Sequence, residues 1–176
     1  MQRRLLVAAL AASLVVLGTL AGLTGTATAD ASVDGWTNAC FGSPCVAPAG
    51  RTTQVAQQQG LVYVNATFAG STAAGALGLG GSPAMPNVDN LGSFMLMAAS
   101  ASYEGQVFEL RVRIGGATVA VPAVLRGAVT ADGTGGVIVD FVNDPHPVAG
   151  AAVAVTVQDV AIAPGATVAV GGLITT

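Results

Sequence analysis

The 176-residue sequence has no lysine, one histidine and few charges of either sign. Charged residues amount to 9%, and the part after residue 29 has four arginines against nine acidic residues, so its formal charge is −5. Proteins that bind nucleic-acid phosphates or anionic membrane surfaces need clustered basic side chains. We therefore expect no nucleic-acid partner and no attachment to a membrane surface by charge.

Sets of catalytic side chains are equally scarce. The single histidine, His146, lies between two prolines in NDPHPV, which predicts an extended, exposed loop. Nucleophilic catalysis needs a nucleophile with a base in hydrogen-bond reach, and the sequence contains no G-x-S-x-G. Glycosidases need two acids across a cleft, whereas Glu109 lies beside arginines on the wet face of an expected strand. Glu104 is the only other glutamate, and we expect no catalytic residue and no enzymatic activity.

Metal ligands are few as well. Zinc requires three or four Cys, His or carboxylate ligands, and two cysteines with one distant histidine do not supply them. Calcium prefers several oxygen ligands at close spacing, and two stretches offer them: DFVNDP, with Asp140, Asn143 and Asp144, and NVDN, with Asn87, Asp89 and Asn90. Asp and Asn also favour turns for local hydrogen-bonding reasons. We expect no cofactor, and the alternative is a weak calcium site at Asp140, Asn143 and Asp144.

Aromatic side chains make up only 5% of the sequence, and most of them occupy core-type positions in expected strands. Trp36 and Phe41 differ from the rest because they flank the two cysteines. They are the candidates for contacting a ligand. The alternative is that both side chains cover one end of the fold.

Cys40 and Cys45 are the only cysteines, and four residues separate them. The usual redox motif has two intervening residues, and no other metal ligand lies nearby in the sequence. Two such thiols pair in an oxidising compartment, and Gly42, Ser43 and Pro44 suit the tight turn that the bridge requires. The sequence predicts a Cys40–Cys45 disulfide that holds the mature N-terminus beside Trp36.

The N-terminus has the three-part pattern of a secretory signal peptide. Arg3 and Arg4 precede the apolar run LLVAALAASLVVLGTLAGL, and small residues follow, with Ala27 and Ala29 in an A-x-A site. The apolar run is long enough to span a bilayer, but the A-x-A site favours cleavage after Ala29 over anchoring. We expect a secreted, extracellular protein, and the lysine-free composition indicates a bacterial source.

Period-two alternation is the main pattern of the second half. The segment QVFELRVRI places four apolar residues on one face and three charged residues on the other: Phe108, Leu110, Val112 and Ile114 against Glu109, Arg111 and Arg113. This is typical of a strand with one buried and one wet face. About seven to nine such short strands with regular turn signals predict an antiparallel all-β sandwich, Ig-like or jelly-roll-like. A closed barrel is the alternative.

Several segments carry weaker patterns. Pro122 interrupts ATVAVPAVLRGAV and predicts two short strands or an edge strand with a break. We expect TTQVAQQQ to be a loop or a short helix, and STAAGALGLGGSPAMPNVDNLG to be an extended loop, with at most one short strand. AVAVTVQDVAI and TVAVGGLIT are each expected to form one strand. The expected organisation is a signal peptide (1–29), a disulfide-clipped segment and loop (30–60) and a β-sandwich domain (61–176).

Residues 90–176 have a familiar spacing of glycine and apolar residues. They include NLGSFMLMAASASYEGQVFELRVRI, LRGAVTADGTGGVIVDFVNDP and VTVQDVAIAPGATVAVGGLIT. This half of the chain resembles uncharacterised exported β-sandwich domains of bacterial surface proteins. The resemblance implies a β-sandwich fold and no particular reaction. The chain departs from that group at GGLITT, which contains no sorting motif.

Together these patterns predict a secreted, non-enzymatic β-sandwich protein that is a structural or interaction module at the bacterial cell envelope or outside the cell. Its expected partner is a cell-wall or surface component, or further copies of the same chain. The alternative is a small calcium-dependent carbohydrate-binding module that uses the Asp and Asn loops and Trp36.

Overall fold

A computed structural model describes residues 30–46, 55–81 and 87–176. The expected signal peptide and its cleavage site lie outside these residues. The described part is all-β, as predicted, and every ladder between its strands is antiparallel. It also contains one short 3-10 turn, Ala73–Gly75. None of the described residues forms an apolar helix of the length needed to cross a membrane.

Fifteen strands follow one another along the described residues. They are β1 (Ser32–Phe41), β2 (Val55–Gln58), β3 (Leu61–Val64), β4 (Thr67–Ser71), β5 (Ala76–Leu79), β6 (Ser93–Leu96), β7 (Ala101–Ser102), β8 (Val107–Ile114), β9 (Ala117–Val129), β10 (Gly135–Phe141), β11 (His146–Pro147), β12 (Ala154–Val157), β13 (Val160–Ile162), β14 (Thr167–Ala169) and β15 (Gly172–Thr175). The number exceeds the seven to nine expected, because several predicted strands are divided between sheets.

The strands form three sheets. The seven-stranded sheet has the order β13-β10-β9-β8-β1-β4, with β7 pairing with the far end of β9. One four-stranded sheet has the order β11-β12-β15-β5, and the other has the order β14-β6-β3-β2. The long strands β1, β8 and β9 lie side by side in the seven-stranded sheet, so this sheet is the largest continuous surface of the described chain.

The hairpin of β8 and β9 follows the predicted alternation. Its register runs from Val107↔Val124 to Ile114↔Ala117. Gly115 and Gly116 form the two-residue turn with φ of 56° and 91°, a conformation that glycine adopts without strain. The four apolar residues predicted to face inward are buried, namely Phe108, Leu110, Val112 and Ile114. The predicted strand in QVFELRVRI is therefore confirmed.

Strand β9 continues through Pro122 for 13 residues, where the sequence predicted an interruption. The reason is a change of neighbouring strand: β9 pairs with β8 up to Val124 and with β10 from Ala123 onward. The carbonyl of Pro122 accepts a hydrogen bond from Val142 N at 3.0 Å, just beyond the β10 ladder. In a strand, the N–H of a residue points to the same side as its carbonyl. On that side of Pro122 the β9–β10 ladder has already ended, so the absence of an N–H costs no ladder hydrogen bond.

Other segments also differ from the sequence-based expectation. The segment expected to be a clipped N-terminal loop contains β1, which lies between β8 and β4. The described end of TTQVAQQQ is strand β2. The two C-terminal segments expected as single strands each divide in two, and their halves join different sheets: β12 and β13 in the first, β14 and β15 in the second.

An aromatic cluster centred on Phe108 connects the seven-stranded sheet to the sheet of β3 and β6. The centroid of the Phe108 ring lies 5.0 Å from those of Phe41 and Phe94, 5.5 Å from that of Tyr63 and 6.0 Å from that of Phe141. Such tilted and edge-on pairs stabilise a core beyond the effect of their buried area. Phe108 is fully buried and holds β8 in register with the core.

Tyr63 adds a buried hydrogen bond to this cluster. Its hydroxyl donates to the Leu91 carbonyl at 2.6 Å and lies 2.8 Å from Thr37 Oγ1 on β1. Gly92 has a φ of 116°, and a Cβ at this position would collide with the Tyr63 ring. Burial raises the pKa of Tyr63, so the phenol stays neutral over the physiological range. Tyr63 thus connects β3, β1 and the segment before β6.

We predict that Tyr63→Phe destabilises the fold. The substitution removes the hydroxyl and leaves the buried Leu91 carbonyl without this donor. An unsatisfied buried acceptor costs about 1–3 kcal/mol, and urea denaturation should show a loss of that size in the free energy of unfolding.

Tyr103→Phe is the matched control, because the Tyr103 side chain is also buried but its hydroxyl donates to the carbonyl of an exposed turn residue, Gln59, at 2.5 Å. A larger loss for Tyr103→Phe than for Tyr63→Phe would contradict the assignment. The pH dependence is a second readout. A phenol whose folded pKa is raised stabilises the protein below its unfolded value of 10.0 and loses that effect as the pH rises further. Tyr63→Phe should therefore weaken the loss of stability above pH 10.0.

Candidate functional site

The predicted disulfide is present between Cys40 and Cys45, whose Cα atoms are 5.6 Å apart. The loop that it closes is attached to β8 at two points. Gly42 N donates to the Val107 carbonyl at 2.8 Å, and the Arg111 guanidinium donates to the Cys45 carbonyl at 3.2 Å. The described residues contain one group of three close Cys, His or acidic side chains, Cys40, Cys45 and Glu109. Because its two sulfurs are bonded to each other, this group is a structural bridge.

The outer face of the seven-stranded sheet is the side that points away from the aromatic cluster. Between β1 and β8 it carries three cross-strand pairs, Trp36↔Arg113, Asn38↔Arg111 and Cys40↔Glu109. Cross-strand neighbours on one face have Cβ atoms about 5 Å apart. The register therefore brings the tryptophan, the disulfide and two arginines into one row of contacts.

The structure separates the two predicted ligand-binding residues. Phe41 packs against the buried Phe108 ring at 5.0 Å and joins the core. Trp36 lies five positions earlier on β1, so its side chain projects to the opposite, outer face. It is only partly buried. Of the two candidates, only Trp36 is positioned to contact a ligand on the outer face.

A groove of about 350 Å³ opens beside Trp36. We name it the Trp36 groove, and its lining residues are Asp34, Gly35, Trp36, Arg113, Gly115 and Gly116. The Arg113 guanidinium carbon lies 5.6 Å from the centroid of the Trp36 ring, the arrangement of a cation–π contact. Sequence reasoning did not single out Arg113 or Asp34 for this site. The only signal was the excess of two arginines over one glutamate on the outer face of β8.

Ion pairs neutralise the other charges along the outer face. Arg111 Nε lies 2.7 Å from Glu109 Oε1, and Arg126 Nε lies 2.7 Å from Asp140 Oδ2. Within the described part of the chain these are the two salt bridges, and Arg113 has neither an acidic partner nor a hydrogen bond there. The Trp36 groove thus holds the one arginine of the described residues whose charge is not balanced by a carboxylate.

Exposed apolar side chains cover the other end of the outer face. We name Val107, Pro122, Val124, Ile138 and Val142 the apolar patch; its valines and isoleucine are 40–48% exposed. Val107 and Val124 face each other across β8 and β9, and Val142 N binds the Pro122 carbonyl. In the β9–β10 register Asp140 lies opposite Val124 and Arg126 lies opposite Ile138, so the patch borders this ion pair.

A second groove, of about 500 Å³, adjoins the apolar patch. We name it the glycine groove, because Gly127, Gly135 and Gly136 line it together with Arg126, Ile138 and Ala161. Gly127 and Gly135 have φ near +100°, and a Cβ on either would collide with a carbonyl of the opposite strand. Glycine is therefore required at both positions, and the groove stays open.

The predicted calcium ligands have different partners. Asp140 accepts from Arg126, while Asn143 donates to Asp159 Oδ2 at 3.3 Å. Asp144 is exposed in the loop before β11. The arrangement commits two of the three side chains to contacts within the protein, and the calcium site stays a prediction.

In the other candidate calcium segment, NVDN, two side chains bind backbone groups at the edge of a sheet. Asn87 Nδ2 donates to the Ala69 carbonyl at 2.8 Å, and Asp89 Oδ2 accepts from Ala69 N at 2.9 Å. Ala69 lies on β4, at the edge of the seven-stranded sheet. Two side chains thus satisfy backbone groups that an edge strand leaves open. Asn90 accepts from Gly92 N within a local turn.

The remaining titratable groups also make local contacts. Glu104 accepts from Gly127 N at 3.1 Å, and His146 Nε2 lies 3.0 Å from the Val142 carbonyl oxygen. His146 is part of the short strand β11, where the sequence predicted a loop. Asp132 closes the β9–β10 turn, and hydrogen bonds from the Thr130 hydroxyl and then Thr134 lower its pKa. These groups hold turns and strand ends in place.

We predict that loss of the disulfide lowers stability by about 2 kcal/mol, the chain-entropy value for so short a loop. The double substitution Cys40→Ser with Cys45→Ser should show this loss in urea denaturation. Ser43→Ala is the control within the same loop and should leave stability unchanged. Mass spectrometry without reductant provides the direct check. Two free thiols in the folded protein would disprove the bridge.

The chain matches no protein-family model, no curated protein and no solved structure. The resemblance of residues 90–176 to exported bacterial β-sandwich domains therefore stays a prediction. The outer face of the seven-stranded sheet carries the two grooves and the apolar patch.

Proposed function

We propose that this chain is an exported, non-enzymatic β-sandwich protein, a structural or interaction module at the bacterial cell envelope or outside the cell. We further propose that its docking surface is the apolar patch and that its partner is a second copy of the chain. The observation that carries this proposal is the position of the apolar patch directly beside the glycine groove.

The apolar patch supplies the driving force. Its four valine and isoleucine side chains are exposed on one sheet face around the neutralised Arg126–Asp140 pair, and grouped exposed apolar side chains mark interaction sites. Burial of apolar area stabilises association by about 25 cal/mol per Å². In the proposed dimer the exposed Ile138 of one copy would enter the glycine groove of the other, which is lined mainly by glycine, alanine, valine and isoleucine with Arg126 at its edge.

The charges near the patch favour a copy of the same chain over a charged partner. Arg126 and Asp140 neutralise each other within one molecule at 2.7 Å. Burial against an identical face would therefore leave no charge without its counterion. A two-fold dimer whose axis passes between the apolar patch and the glycine groove would bring each patch onto the groove of the other copy.

The titratable groups support a role without catalysis. Glu104, Glu109 and Asp140 each accept a hydrogen bond from a backbone amide or an arginine of the chain itself. Such contacts serve the fold, and they are the ordinary use of surface carboxylates. The disulfide is consistent with an extracellular location, since such bridges persist in oxidising compartments.

Self-association predicts a dimer at micromolar concentration. The protein, expressed with its own leader and purified after export, would be examined by sedimentation velocity over a wide concentration range. Ile138→Asp places a charge where the apolar patch meets the glycine groove and should weaken the dimer at least about tenfold, equivalent to about 1.4 kcal/mol. Added salt should leave the dimer intact or strengthen it, because the copies share a net negative charge.

Met95→Asp is the matched control. Met95 is a similarly exposed apolar residue, 39%, on β6 in a different sheet. It should not change the association, and both variants should keep the cooperative unfolding of the parent protein. A monomer at all concentrations, or equal weakening by both variants, would overturn the proposed surface.

The alternative is a small calcium-dependent carbohydrate-binding module. The partly exposed Trp36 in a polar groove favours it, since aromatic rings commonly contact sugars. Its metal would have to bind at Asp140, Asn143 and Asp144. Thermal unfolding with added calcium and with chelator decides between the two functions: an unchanged midpoint would exclude calcium dependence, and a calcium-dependent rise that Asp144→Asn abolishes would support it.

A further inference from the structure

Arg113 is held in place without a carboxylate partner. Glu109, Arg111 and Arg113 share the outer face of β8, and Glu109 pairs with Arg111 at 2.7 Å. Arg113 instead lies over the Trp36 ring at 5.6 Å. A stacked guanidinium still has its N–H edge free, and that edge matches a carboxylate with two parallel hydrogen bonds.

Asp34 lies in the same groove and imposes a second requirement on the chemistry of the ligand. It precedes Trp36 by two residues on the outer face of β1, and it is exposed. It forms no ion pair with Arg113, so the Trp36 groove holds a separated positive and negative charge. A dianion such as phosphate would be repelled by Asp34, whereas a monoanion with an adjacent O–H or N–H donor would satisfy both side chains.

The size of the Trp36 groove limits the ligand. Its volume of about 350 Å³ lies at the small end of the range for small-molecule sites. Gly115 and Gly116 carry no side chains at the groove's edge, so the end of a longer molecule can enter from the β8–β9 turn. A single sugar ring or a terminal amino-acid residue fits these dimensions.

We propose that the Trp36 groove binds an organic carboxylate that carries a neighbouring hydrogen-bond donor. Arg113 binds the carboxylate, Asp34 accepts from the O–H or N–H group, and Trp36 contacts the apolar part of the ligand. Sugar acids and the C-termini of peptides both have this chemistry. The site is separate from the apolar patch, because it lies at the opposite end of β8, and it requires no calcium.

The single tryptophan of the chain provides the measurement. Titration of the exported protein with glucuronate or with N-acetylalanine should change the Trp36 emission with a dissociation constant in the millimolar range, as an exposed charge pair allows. Glucose and N-acetylalanine amide are the matched neutral probes and should bind at least tenfold more weakly. A tenfold preference for glucuronate identifies sugar acids as the source, and the opposite preference identifies peptide C-termini.

Variants connect the binding to the named residues. Arg113→Gln should weaken carboxylate binding at least tenfold, whereas Arg126→Gln, on the same face but paired with Asp140, should leave it unchanged. Asp34→Asn should allow inorganic phosphate to bind more tightly than it binds the parent protein. Calorimetry would measure the variants, since the loss of Arg113 also alters the Trp36 signal.

Three results would overturn the proposal. The first is equal binding of the charged and neutral probes. The second is binding of phosphate to the parent protein as tightly as carboxylates bind. The third is an equal effect of Arg113→Gln and Arg126→Gln on carboxylate binding. Thermal unfolding of each variant would confirm that the fold is retained. The oligomeric state does not enter these comparisons, so failure of self-association and failure of carboxylate binding are distinguishable.

Discussion

The contact of the Phe108 ring with four other aromatic rings determines which way each residue of β8 faces. Because side chains alternate along a strand, an inward Phe108 directs Glu109, Arg111 and Arg113 outward. A slip of one residue would bury three charged groups and expose the apolar set, which is prohibitively costly. β1 is paired with β8 from Gly35↔Ile114 to Phe41↔Phe108. The same core contact therefore brings Trp36 beside Arg113 on the outer face.

The two ends of the outer face differ because few charges are available to cover it. Near β10, one arginine and one aspartate neutralise each other, and the surface around them is formed by valine, isoleucine and glycine. Near the β8–β9 turn, Arg113 and Asp34 line one groove without forming a pair. A chain with no lysine and few arginines has few long cationic side chains with which to cover apolar surface. One end of the outer face is thus mainly apolar, and the other carries two charges that are unpaired within the described residues.

Much of the fold was predictable where the pattern is local. The alternation of β8, the all-β class and the disulfide all depend on neighbouring residues, and the structure confirms them. The strand β1 was not predicted, because SVDGWTNACF buries Thr37 and Asn38 and its partner β8 lies far along the chain. The segment VTVQDVAI divides at Gln158 and Asp159, where the Asp159 carboxylate accepts from Phe141 N and the chain passes from one sheet to another.

Of the residues that line the Trp36 groove, only Trp36 was identified from the sequence, because the others depend on strand formation and pairing. Trp36 was identified from its type, but it was grouped with Phe41 because both flank the cysteines. They lie five positions apart, an odd number, and an odd spacing within one strand places two side chains on opposite faces. The even separation of Asp34 and Trp36 places those two together, and the register adds Arg113 from 77 positions further along the chain. If β1 had been recognised as a strand, the sequence alone would have placed Asp34 and Trp36 on one face. The position of Arg113 beside Trp36 depends on the pairing of β1 with β8, and therefore on the fold.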